Sequence, residues 1–417
     1  MVKRILMIAF HFPPIKASSG IQRTLRFAQY LPDFDWIPVV LAPHPRAYAA
    51  VSNEDMEALS DRIEVRRAFA LDTRLHLSIG GRYPRFAAVP DRWVSWCLGA
   101  VPAGLELIRR FRPAVIWSTF PIATAHLIGL TLSRLTNVPW VADFRDPMAQ
   151  EGYPSDPLIW KSFDWIEKRT IRRAAAATFT TPGAVRDYRR RYPEQAPRFS
   201  VIENGYDEKA FSAAEQGAKT TSARTPGEPF TLVHSGTIYP EERDPRQLFT
   251  SIAAMLEAGE ITPKLLRIVL RATAHDSYLQ ELIDGAGIQS IVTLAPPLHY
   301  EQALQEMLTA DALLILQSAN CNDQIPAKLY ECLRAKRPIF ALTDPAGDTA
   351  NALRAAGIDT IAALDSAPSI REALQRFLTL LQSGEAPIAS EGSVTSASRR
   401  GRTAEFAGLL DRITQSG

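Results

Sequence analysis

Residues 312–342, ALLILQSANCNDQIPAKLYECLRAKRPIFAL, hold two short apolar runs, 312–316 and 338–342, on either side of an amphipathic stretch. Runs of that length read as strands, and Pro326 suits the first turn of a helix between them. Strand, helix and strand in so short a span make a βαβ unit, whose two strands run parallel. Outward from this unit the alternation continues toward both ends of the chain. It predicts strands over 4–10, 38–41, 62–69, 114–118, 140–143, 176–180 and 200–203, and again over 231–234, 265–270, 291–294 and 360–363. Helical patterns such as 245–258 and 300–309 fill the gaps. In the first helix Ile21, Leu25, Ala28 and Leu31 share one face, and Arg23, Arg26 and Gln29 lie off it.

The alternation breaks at 212–228, an aperiodic run of Ala, Gln, Gly, Lys, Thr, Ser and Pro that reads as a linker or surface loop. A second polar stretch, 385–400, precedes a final amphipathic helix carrying Phe406, Leu409, Leu410 and Ile413. The expected fold class is α/β, with two Rossmann-like, doubly wound domains. A length of 417 residues fits two cores better than one. With 47 Lys and Arg against 45 Asp and Glu, the net charge of +2 gives no overall pull toward nucleic acid. Cys97, Cys321 and Cys332 form no CxxC pair or Cys/His cluster, which argues against a disulfide framework or structural zinc and fits a reducing cytosol. The start MVKRILMIAF runs directly into HFPP with no small-residue cleavage site, and reads as a buried strand. The apolar region 113–132 is interrupted by Ser118, Thr119, Pro121, Thr124 and His126, so it reads as strand plus helix and not as a membrane span. A soluble or peripheral protein is expected.

Ligands of open α/β sheets collect beyond the carboxyl ends of the strands, so the loops there carry the candidate chemistry. After the first strand, Ser18, Ser19 and Gly20 open a helix where small residues let backbone N–H groups approach an anion; a plain cap and turn would use the same residues. This loop is neither GxGxxG nor GxxxxGK[ST], which disfavours a dinucleotide dehydrogenase and a P-loop NTPase. In the segment 143–147, Asp143 and Asp146 flank Arg145, a group able to position sugar hydroxyls or a proton acceptor, or else an internal ion pair that pins the loop. Ser235, Gly236 and Thr237 begin the second half, where Gly236 allows close backbone approach and Arg243 offers a forked donor for phosphate. Beside Glu241 and Glu242, Arg243 could instead be a solvated charge. At 323–331, the N–H groups of Ala327, Lys328 and Leu329 at a helix start, with the Lys328 ammonium, form an anion site, and Glu331 one turn on can accept from ribose hydroxyls. A capped amphipathic helix with exposed Lys and Glu would leave the same pattern.

Five segments in this order, FPPIKASSGIQR, WVADFRDP, VIENGYD, VHSGTIYPEERDP and IPAKLYECLRAKRPIFAL, make the chain resemble retaining glycosyltransferases of family four, the group-one type with GT-B architecture. The resemblance runs over nearly the whole chain. It implies two domains facing a cleft: 1–205 for the acceptor, 206–395 for the nucleotide-sugar donor, and a helix at 396–417 returning to the first. It implies Asp143, Arg145, Arg243 and Lys328 as catalytic groups, and Ser19, Gly20, Gly236, Thr237, Asp323 and Glu331 as donor-binding ones. Ser19-Gly20 stands where Gly-Gly is usual, and Asp323 replaces a Glu and lacks the Gly-Phe-Gly that follows it. No metal and no cofactor is expected, the UDP- or GDP-linked sugar being a co-substrate whose leaving diphosphate meets Arg243 and Lys328. The sequence has no clustered Asp-x-Asp beside a nucleotide strand.

The reaction implied is sugar transfer, with retention, to a hydroxyl of a glycan or polyprenyl-diphosphate-linked acceptor in cell-surface polysaccharide biosynthesis. The rivals are an inverting transferase, a GT-B nucleotide-sugar epimerase and a non-catalytic sugar-binding partner of a glycan assembly complex. Residues 161–198 hold ten Lys or Arg against four Asp or Glu, with Trp160, Phe163, Trp165 and Ile166 near the start. Such a stretch suits an anionic inner leaflet as well as an ordinary solvated surface. The expected location is cytoplasmic or peripheral at the inner face of the plasma membrane, with no nucleic-acid partner.

Overall fold

The computed structural model describes residues 2–16, 19–52, 63–217 and 227–415. The chain forms two units, Met1–Glu203 with Arg399–Gly417, and Asn204–Ser398. In the first, β1 (Lys3–Ile8), β2 (Trp36–Pro43), β3 (Glu64–Ala68), β4 (Val115–Thr119), β5 (Trp140–Arg145), β6 (Ala176–Phe179) and β7 (Phe199–Val201) form one parallel sheet. Its order is β3-β2-β1-β4-β5-β6-β7, and the winding reverses between β1 and β4. Ile5, Leu6, Met7 and Ile8 are fully buried, because helices cover both faces of a parallel sheet and a central strand must be apolar throughout. Leu6 and Ile8 face a core with Trp96, Ile116 and Trp140, whereas Ile5 and Met7 face Leu25, Trp117 and Leu410. The helix Arg399–Gln415 completes that second core: Phe406 stacks on Phe27 at 4.8 Å, and Asp411 pairs with Lys3 at 2.9 Å.

The second unit repeats the plan with β8 (Phe230–Ser235), β9 (Leu266–Arg271), β10 (Val292–Ala295), β11 (Ala312–Leu316), β12 (Ile339–Leu342) and β13 (Ile361–Ala362). All pairs are parallel, the order is β10-β9-β8-β11-β12-β13, and the reversal lies between β8 and β11. The fold is therefore α/β, two Rossmann-like doubly wound units in one chain. No helix among the described residues is long and apolar enough to cross a membrane.

Three sequence expectations need correction. The linker at 212–228 is in part the end of a helix, Glu208–Gly217, whose Phe211 and Ala214 are buried while Arg334 pairs with Glu208 and Glu215. Its apolar face begins before 212, which is why the polar run conceals it; 218–226 lie outside the described residues. The polar stretch 385–400 contains the helix Glu391–Ser396, capped by Ser390 and anchored by buried Val394. Arg23, assigned to the open face of the first helix (Ser19–Tyr30), is only 4% exposed.

Candidate functional site

In the first unit, polar groups from four elements meet at the carboxyl ends of β4, β5 and β6. Asp143 is fully buried and accepts from Arg23 Nε at 2.9 Å and Nη2 at 2.8 Å, and from the hydroxyls of Thr119 and Thr178 at 2.8 Å each. Two oxygens with four donors have no acceptor direction left for a ligand. Burial alone would raise the Asp143 carboxyl, but the facing Arg23 guanidinium, with Arg145 and Thr178, holds it below the usual carboxylate range. Arg145 adopts φ 61°, donates from Nε to Thr119 Oγ1 at 2.9 Å and from Nη2 to the Gly20 carbonyl at 3.0 Å. Its burial lowers it to about 10, so it stays charged at neutral pH.

These contacts revise the sequence reading. The contacts of Asp143 are those of the internal ion pair, with Arg23 and Arg145 as its cations; of the two carboxylates beside Arg145, it is Asp146 that is exposed. Gly20 lends close approach to protein, since a Cβ there would sit 2.6 Å from the His11 ring and 3.1 Å from Arg145. Ser19 begins the helix, and Ser18 lies outside the described residues.

In the second unit the candidates lie around the end of β8 and the start of the helix Lys328–Ala335. Gly236 has φ 146°, and a Cβ there would meet nothing within 4 Å, so the backbone after β8 is open on that side. Arg243 is not a freely solvated charge: it donates to the Thr237 carbonyl and lies 5.7 Å over the Tyr239 ring. Lys328 pairs with Glu331 at 2.6 Å, as their i,i+3 spacing allows, and Tyr300 donates to the other Glu331 oxygen at 2.9 Å. The anion site read from sequence loses one donor, because the helix starts later than Pro326 and the Leu329 N–H bonds the Pro326 carbonyl at 2.9 Å. Asp323 is exposed in a loop that Gln317 pins by donating to the Cys321 and Gln324 carbonyls at 2.9 and 3.0 Å.

His234, near the end of β8, has no place in the sequence reading, where it passes as part of an apolar strand. It is 7% exposed, with Nδ1 3.0 Å from the Leu314 carbonyl and no protein partner for Nε2. Burial lowers it to about 4, and the positive charges of Arg243 and Lys328 push in the same direction. His126 in the first unit is lowered to about 3, chiefly by burial. Unfolded, these two rings protonate near 6.5, and folded only at about 4 for His234 and about 3 for His126, so the stability their neutral forms support is whole above 6.5 and lost as pH falls toward 4. The thermal midpoint should decline across that window, and His234→Asn, which retains a donor toward Leu314, should flatten part of the decline.

A cavity of about 570 Å³ lies beside the same strand ends, bordered by Glu241, Asp244, Asp344 and Asp365 with Arg246 as its cation. Arg246 is itself paired with Asp244 at 2.5 Å, and none of the candidate donor residues lines this cavity.

Comparison with known proteins agrees with the two-sheet fold. The chain is 24% identical over 240 residues to the D-inositol 3-phosphate glycosyltransferase of Arthrobacter sp. (strain FB24), covering 54% of this chain and 55% of that protein, so it spans about half the length of that curated relative. Sucrose-phosphate synthase from Thermosynechococcus elongatus shares the fold over 100% of both chains, with TM-score 0.66 and 13% identity. Anabaena HepE, solved in complex with UDP, shares it over 99% of this chain and 98% of its own, with TM-score 0.59 and 12% identity. Residues 19–205 match the Glycosyl transferase 4-like domain, and the two Rossmann-like units around and beyond that match have the fold of GT-B glycosyltransferases.

Proposed function

We propose that this protein is a glycosyltransferase that moves a sugar from a UDP- or GDP-linked donor to a hydroxyl of a glycan or polyprenyl-diphosphate-linked acceptor, with retention at the anomeric carbon. Residues 206–395 take the donor and 1–205 the acceptor, at the cytoplasmic face of a membrane where surface polysaccharide is assembled. The observation that carries the reading is the open backbone of Gly236 at the end of β8, with Arg243 donating to the neighbouring Thr237 carbonyl and Lys328 paired to Glu331 at the helix start. As the glycosidic bond to the diphosphate breaks, negative charge grows on the leaving oxygens. Two fixed cations placed there stabilise the transition state more than the ground state. Glu331 accepts from the ribose hydroxyls, held by Tyr300. Further support comes from the neighbour HepE, solved with UDP and, at TM-score 0.53, with UDP-glucose.

A thermal-shift panel of nucleotide sugars tests donor binding, since a ligand at a hundred times its dissociation constant stabilises by about 2.7 kcal/mol. Release of nucleotide diphosphate on adding acceptor, with the donor anomer retained in the product, is the expected result. Binding without release would favour a sugar-binding partner, and conversion of the donor sugar without acceptor would favour an epimerase. Activity in excess EDTA should stay within about twofold of the untreated rate, because the diphosphate charge is met by protein cations. A rate that collapses with chelator and returns with magnesium would contradict this part of the reading.

A further inference from the structure

Between Asp72 and Asp91 the first unit makes an excursion, TRLHLSIGGRYPRFAAVP, with three arginines and no acidic residue. Its base is fixed. Thr73 donates its N–H to the Arg92 carbonyl at 2.8 Å and its hydroxyl to the Ala87 carbonyl at 2.6 Å, and buried Asp72 caps Arg74 N at 2.9 Å and pairs with Arg92 at 3.1 Å. Its tip is a tight turn, with Gly80 and Gly81 at φ 57° and 78° and an antiparallel bridge from Ile79 to Arg82. Between base and tip the apolar side chains face solvent: Ile79 is 87% exposed, Phe86 80%, Leu75 55% and Leu77 41%. Single exposed apolar residues are ordinary, but a concentration of them on one pinned excursion marks a contact surface.

The neighbouring surface has the same character. Arg85 pairs at 2.6 Å with Asp156, the cap of the helix Pro157–Arg173. Leu158, Lys161, Trp165, Lys168 and Arg172 recur on that helix at three- and four-residue intervals and are all exposed. We propose that this excursion docks the first unit onto an anionic lipid bilayer, with Ile79 and Phe86 entering the acyl boundary and Arg74, Arg82, Lys161 and Arg172 meeting the headgroups. Charge selects this occupant: a protruding apolar tip ringed by arginines and free of carboxylates complements a negative, deformable surface. A bilayer also accepts a projecting tip without a matching groove. The basic stretch 161–198 contributes through its first helix only. Further along it, Arg191 is held by buried Glu167 and by Asp187, so that charge serves the fold, and Arg190 is paired with Asp187 as Lys168 is with Asp164. This inference does not depend on the transferase reading, since it is tested by binding alone.

The test is sedimentation of the full chain with phosphatidylcholine vesicles containing increasing phosphatidylglycerol, at two salt concentrations. Binding should rise with the anionic fraction and weaken with salt, each cation near the surface being worth roughly fivefold. The double variant Ile79→Ser, Phe86→Ser should reduce partitioning about tenfold or more with an unchanged thermal midpoint, since both side chains are exposed. Ile79→Trp should add emission that brominated acyl chains quench, a measurement independent of the serine variants. The proposal is overturned if the wild-type chain does not bind these vesicles, if the double variant binds equally well, or if bromolipid leaves the emission added by Ile79→Trp untouched. It is also overturned if sedimentation velocity shows a dimer that the double variant dissociates, which would make the excursion an interface between copies of this chain.

Discussion

Lys328→Ala should lower turnover by roughly a hundredfold, or about 2.7 kcal/mol of transition-state stabilisation, while leaving the fold intact. A unit charge about 4 Å from a phosphate oxygen interacts by on the order of 4 kcal/mol at an effective dielectric near 20, before desolvation and solvent screening reduce it. The part of this that grows as the diphosphate departs appears in turnover. Folding should change little, because Lys328 is 36% exposed and its pair with Glu331 is of the surface kind, worth about 0–1 kcal/mol. Glu331→Gln should act elsewhere. It keeps the shape and one acceptor for Tyr300 and ribose but loses a charge-assisted bond, and about 1.5 kcal/mol of lost binding corresponds to a donor KM raised roughly tenfold. Steady-state kinetics of both variants, with thermal midpoints alongside, check the division of labour. Two fully active variants would remove the donor site from this helix start.

The strands of both sheets are legible in the sequence because a parallel sheet covered on both faces demands unbroken apolar runs, and such runs cannot hide among amphipathic helices. The candidate site is legible in position and not in pairing. A helical pattern assigns any polar residue off the apolar face to solvent, so it sends Arg23 outward; only the pairing of strands brings Asp143, 120 residues away, to the foot of that helix as a buried counter-ion. The same blindness treats Lys328 and Glu331 as two separate ligand groups when their spacing on one helix already pairs them. Gly20 reads as room for a ligand, but that room is occupied by His11 of the same loop and by Arg145, which sequence places 125 residues away and folding brings back. His234 escapes because a lone histidine in an apolar run carries no periodic signal; what distinguishes it is the absence of a partner for Nε2, a property of the packed state. The excursion at 73–90 escapes for the opposite reason, since apolar residues without a period suggest no element and exposure cannot be read from composition.

Asp143→Ala should cost about 3–5 kcal/mol of folding stability, because it leaves the Arg23 guanidinium, 4% exposed, without the carboxylate that justifies its burial. Arg145 does not relieve the defect; it is a second cation 3.7 Å from the same carboxylate and would then face Arg23 without neutralisation between them. The hydroxyls of Thr119 and Thr178 also lose their acceptor. Replacing both partners, Arg23→Met with Asp143→Leu, should cost clearly less than the two single changes added, since an apolar pair needs no compensation in a buried site. Calorimetry of the full chain and its variants reads both quantities. The acid dependence has a fixed sign: Asp143 is held below the usual carboxylate range, so its contribution is present above the unfolded carboxylate pKa, near 3.9, and lost as pH falls below that value. A catalytic Asp143 predicts another pattern, in which Asp143→Asn unfolds like the wild-type protein and loses turnover alone. A carboxylate whose four acceptor directions are all filled by the protein has none to offer a substrate, and that is why the loss is expected in stability.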